Sequence, residues 1–315
     1  MSQISASISA LLPVKNGEQF LRTILPSILE MLNSSDELII VNDGSTDDSW
    51  EISKKFQYAD SRIQIINTAG IGLVKALNLG LLQARNEWVA RFDVDDRYSA
   101  QRLVEQRKLV GSRVAVIFSD YYFNSTNYRK LGLVCSAVKP VPMALSLVSS
   151  QRTPHPVALI NRNLLLKSGS YKEEEYPVED LALWLRLSQY GDIVSAPFPL
   201  LDYRLSKGSI SAQNRKVQIA RKNEVLQSFV YWGELQNESL YQLEETLSYY
   251  KNLPQTSDRI YLHIRDIFLA SRFTRHRVPI SLIYRKVGIK LAAQILTSGT
   301  RLTLLSIIRR FYRWV

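Results

Sequence analysis

Three aspartates stand within four positions, at Asp93, Asp95 and Asp96, directly after the apolar run Trp88-Val89-Ala90. A strand that ends in clustered carboxylates suits a divalent cation and the diphosphate that the cation neutralises. Magnesium and manganese prefer oxygen ligands and are commonly held by one or two carboxylates together with substrate phosphates. The same cluster also suits a loop whose aspartates cap a helix starting near Ser99. A second acidic pair, Glu179-Asp180, opens a helical segment, Leu181 to Tyr190, that carries Leu181, Trp184, Leu185 and Ser188 on one face and is closed by Gly191. Acids in a first helical turn complement the helix dipole, so this pair also fits plain helix-end chemistry.

The elements that must position these groups alternate between strand and helix. Apolar runs at Ile8 to Val14, Glu37 to Val41, Ile63 to Ile66 and Trp88 to Phe92 read as strands. Helical spacing follows each of the first three, over Gln19 to Met31, Ser45 to Phe56 and Leu73 to Ala84. Such alternation implies a largely parallel sheet with helices on both faces. In open sheets of this kind ligands bind outside the carboxyl ends of the strands. Those ends carry Lys15 and Asn16, then Asp43, then Asn67, then the aspartate cluster, so they would form one rim. Further along, Val114 to Ser119 and Val157 to Ile160 read as strands, Ala144 to Ser149 as a short helix, and Ser170 to Pro177 as a polar loop. Glu173-Glu174-Glu175 suits a solvated charge run. From Gln218 onward the pattern is mostly helical.

With 315 residues, 46% hydrophobic and 22% charged, the chain is long enough for a large domain plus an appendage. The single cysteine, Cys135, excludes an intramolecular disulfide framework and suits a small core residue in a reducing compartment. Met1 to Ser9 lacks the basic start and apolar run of a signal peptide, and no stretch reaches the roughly 20 apolar residues of a membrane span. Of the formal net charge of +11, nearly all lies from Arg265 onward, where eleven basic residues face one acid, Asp266.

Five stretches in order now become informative: Leu12-Pro13-Val14-Lys15-Asn16-Gly17, Glu37 to Asp47, Gly72 to Gly80, Ala90 to Asp96 and Glu179 to Arg186. Together they resemble family 2 glycosyltransferases of the GT-A fold, over about residues 8 to 211. The resemblance implies a mostly parallel, Rossmann-like α/β sheet flanked by helices in residues 1–215, with a helical, basic C-terminal region in 216–315. It implies inverting transfer of a hexosyl group from a nucleotide diphosphate sugar, a UDP-sugar by preference, with a divalent metal, Mn2+ or Mg2+. Pro13 and Lys15 would then lie by the base, although a lysine at this place could also reach the phosphates. Asp43 would accept a hydrogen bond from the uracil ring, Asp93 would face the ribose, and Asp95, with Asp93, would hold the metal. Asn16, Asn78 and Arg91 would complete the donor site. Asp180 would be the general base with Glu179 beside it, and His155 and Trp184 would lie on the acceptor side. His155, in Thr153-Pro154-His155-Pro156, is equally suited to ordering its loop. Tyr203-Arg204 with Ser209-Ile210-Ser211 resembles a flap near the donor diphosphate. An attacking hydroxyl must lose a proton, and a carboxylate opposite the leaving diphosphate can take it in one displacement. The metal's part is Lewis-acid and template work.

Other enzyme classes are less well matched. A sugar nucleotidyltransferase would want a glycine-rich, basic phosphate loop near the N-terminus, and a non-catalytic sugar-binding or assembly subunit has no need of Asp93, Asp95 and Asp180 together. Nucleic acid suits the net charge but no recognition motif accompanies it. A helix over Leu302 to Val315, at about 100° per residue, would gather Leu304, Leu305, Ile308, Phe311 and Tyr312 opposite Arg309, Arg310 and Arg313. That pattern suits either the surface of an anionic membrane or packing on the catalytic domain. The expected setting is the cytoplasmic face of the cell membrane, where such enzymes extend a glycan on a lipid-linked acceptor. Deleting residues 301–315 should move the protein from the membrane to the soluble fraction of lysed cells; unchanged partitioning would rule out the helix as anchor.

Overall fold

The computed structural model describes residues 6–136, 153–206, 209 and 213–228. In its first half β1 (Ile8–Val14), β2 (Glu37–Asp43), β3 (Ile63–Thr68) and β4 (Trp88–Arg91) alternate with α1 (Glu18–Met31), α2 (Ser49–Ala59) and α3 (Leu73–Gln83). The strands lie in the order β3-β2-β1-β4 and all pair in parallel. Every residue of β1 and β2 is buried, because helices cover both faces. Ala10, Leu12 and Val14 pack with Leu21, Leu25 and Ile28 of α1, whereas Leu11, Ile39 and Val41 pack with Val74, Leu77 and Leu81 of α3. Strands buried on both sides read as unbroken apolar runs, and these do.

The second half adds β5 (Arg97–Tyr98), α4 (Arg102–Arg107), β6 (Val114–Asn124), β7 (Lys130–Val134), β8 (Leu159–Asn161), α5 (Arg162–Lys167), α6 (Glu179–Leu187), β9 (Asp192–Arg204) and α7 (Arg215–Ser228). The sheet continues β4-β8-β6-β9-β5, with β7 on β6. β8 is antiparallel to both β4 and β6, and β9 returns parallel to β6. The parallel order expected from the alternation therefore holds for one half of a nine-stranded mixed sheet. Chain order places β2 and β3 on one side of β1 and β4 on the other, so the crossover from β3 to β4 opens a crevice at the carboxyl ends of β1 and β4.

Several boundaries differ from the sequence expectation, each for a local reason. The second helix starts at Ser49 rather than Ser45, because residues 45–48 are bound to the loop after β1. Asn16 N donates to Ser45 Oγ at 2.9 Å, Thr46 N to Asn16 Oδ1 at 2.8 Å, and Asp48 N to Glu18 Oε2 at 2.9 Å. The helix expected near Ser99 begins at Arg102, and Asp96 does not cap it: its Oδ1 accepts from Arg204 N at 2.7 Å. Val157 belongs to a 3-10 turn, His155–Val157, before β8. Glu173–Glu175 is a further 3-10 turn rather than a free charge run, since Glu173 pairs with Lys75 at 3.2 Å and Glu175 with Arg186. The thirteen-residue β9 was hidden by Pro197 and Pro199, which argue against a strand. They are accommodated where the β6–β9 register shifts beside Asp120. Cys135 is buried, as expected of a core thiol. The expected helix Ala144 to Ser149, the Ile210-Ser211 part of the flap and the basic C-terminal helix lie outside the described residues. Among the described residues no helix is long and apolar enough to cross a membrane.

Two glycines separate backbone strain from crowding. Gly44 has φ +66°, and a Cβ there would lie 2.6 Å from the Gly70 backbone nitrogen. Gly72 has φ +89° with nothing within 4 Å of such a Cβ. With ψ 157°, Gly72 occupies a region that is essentially glycine's alone, where a side chain costs about 1–3 kcal/mol, so Gly72→Ala should lose about that much by denaturant unfolding. Gly44→Ala should lose clearly more, because the loops after β2 and β3 must also separate.

Candidate active site

The strand ends and the start of α6 enclose one cleft of about 1310 Å³. Pro13, Lys15, Asn16 and Asp43 line its first wall. Asn16, at φ +53°, fixes the β1 loop to the β2 loop through the bonds described above. Asp43 is buried, and its carboxylate organises the turn after β3. Oδ1 accepts from Thr68 Oγ1 and from Ile71 N, both at 2.6 Å, and Oδ2 from Gly72 N at 2.9 Å. Burial alone would raise its pKa, yet these three bonds and the Lys15 charge outweigh that, so the carboxylate stays ionised below its usual range. An ionised carboxylate has about four acceptor positions, so these bonds leave one on Oδ2 unused.

Two of the three aspartates after β4 are paired with an arginine side chain. Arg91 is buried, and its guanidinium holds Asp93 Oδ1 at 2.7 Å. Burial works against that charge, but Asp93 more than compensates and Arg91 is held firmly protonated. Asp95 Oδ2 lies 3.3 Å from Arg204 Nη1. Burial first and the Asp93 charge second raise the Asp95 pKa, with Arg204 opposing them. Burial and Asp93 likewise push Asp96 well up, and its Oδ2 has no partner. Among the described residues no group of three or more His, Cys, Asp or Glu gathers into a metal cage. Asp93 and Asp95 nonetheless fit a hard cation of the kind shared with substrate phosphates: both face the cleft, and the repulsion that lifts Asp95 is what a dication would relieve.

Across the cleft, α6 presents the second acidic pair. Glu179 is 6% exposed and its Oε2 has no hydrogen-bond partner. Burial, and then the neighbouring Asp180, raise its pKa to about 7. Asp180 is half-buried and accepts from Leu181 N at 2.7 Å. Burial raises its pKa too, against the pull of that N–H and of Arg91. His155 lines the same wall with Nε2 2.8 Å from the Tyr171 hydroxyl, and burial together with Arg91 keeps its ring neutral.

Two expected site residues are also engaged with the scaffold. Trp184 lines the floor of the cleft and is fully buried, edge-on to Phe118 at 5.2 Å and to His155 at 5.8 Å between ring centroids, so it supports His155 from beneath. Asn78 is spent on the chain: its Nδ2 donates to Tyr171 O at 2.8 Å and its Oδ1 accepts from Tyr171 N at 3.2 Å. It anchors the segment that carries Tyr171 and does not line the cleft. Conversely, Arg102 and Gln106 escaped notice in the sequence. Arg102 Nη2 donates to Arg91 O at 2.7 Å and Ala158 O at 3.3 Å, while Gln106 Nε2 donates to Ile117 O at 3.0 Å and Val157 O at 2.8 Å. Their signal was polar side chains four apart on the buried face of a short helix, flanking Leu103.

Part of this chain is similar to known proteins. Residues 9–140 match the model of glycosyl transferase family 2. The likeness to that family extends over those residues of the chain. Of curated relatives, the glycosyltransferase GlyA of Streptococcus pneumoniae is 36% identical over 126 residues, covering 39% of this chain and 18% of GlyA. This chain thus spans under a fifth of the length of GlyA. WfaP of Escherichia coli, a UDP-Glc:α-D-GlcNAc-diphosphoundecaprenol β-1,3-glucosyltransferase, is 27% identical over 228 residues, covering 70% of this chain and 86% of WfaP. The GT-A fold agrees with the Staphylococcus aureus TarS 1-349 structure in complex with UDP-GlcNAc, at a TM-score of 0.56 and 17% identity, covering 85% of this chain and 90% of that one. Glu179, Asp180 and His155 lie beyond the family match, on the same cleft as Asp43, Asp93 and Asp95.

The Glu179 environment has a measurable consequence. Its pKa is raised above the unfolded value of about 4.5 to about 7, so the native state binds the extra proton between those values. Its contribution to stability is complete below pH 4.5 and is lost as pH rises through 7. Glu179→Gln should therefore flatten this decline and be more stable than the parent at pH 8, by on the order of 2–3 kcal/mol. At pH 4.5 and below that advantage should vanish. Denaturant unfolding at both pH values checks it.

Proposed function

We propose that this protein is an inverting hexosyltransferase that moves a sugar from a nucleotide diphosphate sugar, UDP-linked by preference, to a hydroxyl of a lipid-linked acceptor in cell-surface polysaccharide synthesis. The observation that carries this proposal is one cleft lined on one side by Asp43, Asp93 and Asp95 and on the other by Glu179 and Asp180. Nucleotide recognition needs the first set, and deprotonation of an attacking hydroxyl needs the second.

In this proposal Asp43 offers its remaining acceptor position to the base, and Asp93, fixed by Arg91, faces the ribose. Asp95, with Asp93, holds a divalent cation together with the diphosphate; when bound, that cation supplies Lewis-acid stabilisation of the departing charge. Arg204 must release Asp95 for this, and its guanidinium is then placed to pair with phosphate oxygen. Asp180 takes the proton of the acceptor hydroxyl as that oxygen bonds to the anomeric carbon and the bond to the diphosphate breaks. The neutral form of Glu179 spares Asp180 a second adjacent charge. His155, locked by Tyr171 and Trp184, forms the acceptor-side wall.

The acceptor class follows from WfaP, which acts on a diphosphoundecaprenol-linked sugar. Such an acceptor lives in a membrane, and the basic residues from Arg265 onward support peripheral attachment there. Asp180→Asn should reduce transfer by about 10²–10⁴-fold while leaving protection from thermal unfolding by UDP and Mn2+ intact. Asp95→Asn should weaken that Mn2+-dependent protection. The opposite pattern refutes the assignment of roles, and a parent protein that no nucleotide protects, with or without Mn2+, refutes the proposal as a whole.

A further inference from the structure

Five cations line the cleft, and four of them face an acid. Arg91 holds Asp93, Arg204 holds Asp95, Lys75 holds Glu173, and Lys15 lowers the pKa of Asp43 by its charge. The fifth, Lys222 on α7, is half-buried and has no carboxylate within ion-pair reach among the described residues. Desolvation lowers its pKa, with no acid among the described residues to offset it. A lysine that gives up hydration without gaining a partner carries an uncompensated cost. A cation held in a cleft on those terms is matched to an anion that arrives from outside.

The location of Lys222 separates it from the donor end. One turn earlier on the same helix, Gln218 Nε2 donates to Pro177 O at 3.0 Å, which fixes α7 against the segment leading into Glu179-Asp180. Gln218, Ile219 and Lys222 thus project from one face of α7 into the wall that holds the acidic pair, whereas Asp93 and Asp95 stand at the end of β4. In a single displacement the acceptor enters on the base side, opposite the leaving diphosphate. An acceptor sugar that presents its hydroxyl to Asp180 carries its own anomeric substituent away from the donor.

We propose that Lys222 binds the diphosphate of the acceptor, so that this enzyme selects sugars carried on a lipid diphosphate over the same sugars on a neutral aglycone. The inference rests on the glycosyltransferase proposal, and it adds a second phosphate subsite, separate from that of the donor. Ile219, exposed one helical step away, is placed to meet the first carbons of the lipid.

The test uses the full-length chain with the donor site filled by UDP and Mn2+, so that added diphosphate cannot bind there. Calorimetry would follow dodecyl diphosphate against a neutral dodecyl glycoside for the parent, Lys222→Gln and Lys222→Arg. We expect Lys222→Gln to weaken dodecyl diphosphate binding about tenfold, Lys222→Arg to restore most of it, and the neutral glycoside to bind all three alike. UDP binding and thermal unfolding should not change. Equal weakening for both lipids, or no diphosphate binding by the parent, would overturn the proposal. So would a Lys222→Gln defect seen only with phosphatidylglycerol vesicles, which would assign the lysine to a membrane headgroup. A parent that fails to bind UDP at all would defeat the glycosyltransferase proposal first, and its separate readout makes the two failures distinguishable.

Discussion

A buried guanidinium at the end of β4 is the constraint around which the rest of the site is arranged. Arg91 is 3% exposed, and removing such a charge from water costs several kcal/mol unless it is paired. Asp93 supplies the pair at 2.7 Å. Its field also reaches Asp96, Glu179 and Asp180, lowering each pKa against the burial that raises it, and it opposes protonation of His155. One cation thereby offsets part of the burial and mutual repulsion that raise Asp96, Glu179 and Asp180. The backbone of Arg91 is held in turn: its carbonyl accepts from Arg102, whose guanidinium lies over Phe92 at 4.0 Å and Tyr98 at 4.8 Å. Burial brings Arg102 down to about 10, still protonated at neutral pH. Two buried arginines with a single direct carboxylate between them are an expensive arrangement, and they stand where the sheet changes from parallel to antiparallel.

Local signals made the first half of the fold legible. β1 and β2 are apolar throughout because helices cover both faces, and α1 shows its stripe of Leu21, Ile24, Leu25 and Ile28 because one side faces that sheet. Strand-end polar residues could be assigned to one rim because parallel order forces carboxyl ends to the same edge. The second half depends on pairings distant in sequence. β9 went unassigned from sequence because its prolines are tolerated only where the partner strand is irregular, which no single segment records.

The same distinction applies to the site. Residues whose chemistry stands at a strand or helix end, such as Asp43, Asp93, Asp95 and Asp180, were visible from type and position. Asn78 and Trp184 carry the right chemistry on the right helices, yet their partners, Tyr171 for one and Phe118 with His155 for the other, come from elsewhere in the chain and absorb them into the scaffold. Arg102 was missed for the converse reason, since its role lies in carbonyls it reaches across three elements.

β9 has a consequence for how such enzymes can be recombined. It begins at Asp192, just after the helix that carries the acidic pair, and ends at Arg204 against Asp95. The family match stops at residue 140, yet β6 takes two of its partners, β8 and β9, and β5 its only one, from beyond that point. A fragment cut there would leave open sheet edges and strip Asp95 of its counter-ion. A swap of the segment around α6 between relatives must therefore carry β9 with it, and with β9 comes Arg204, the partner of Asp95. The two walls of the cleft are physically spliced into one strand, so neither can be exchanged alone.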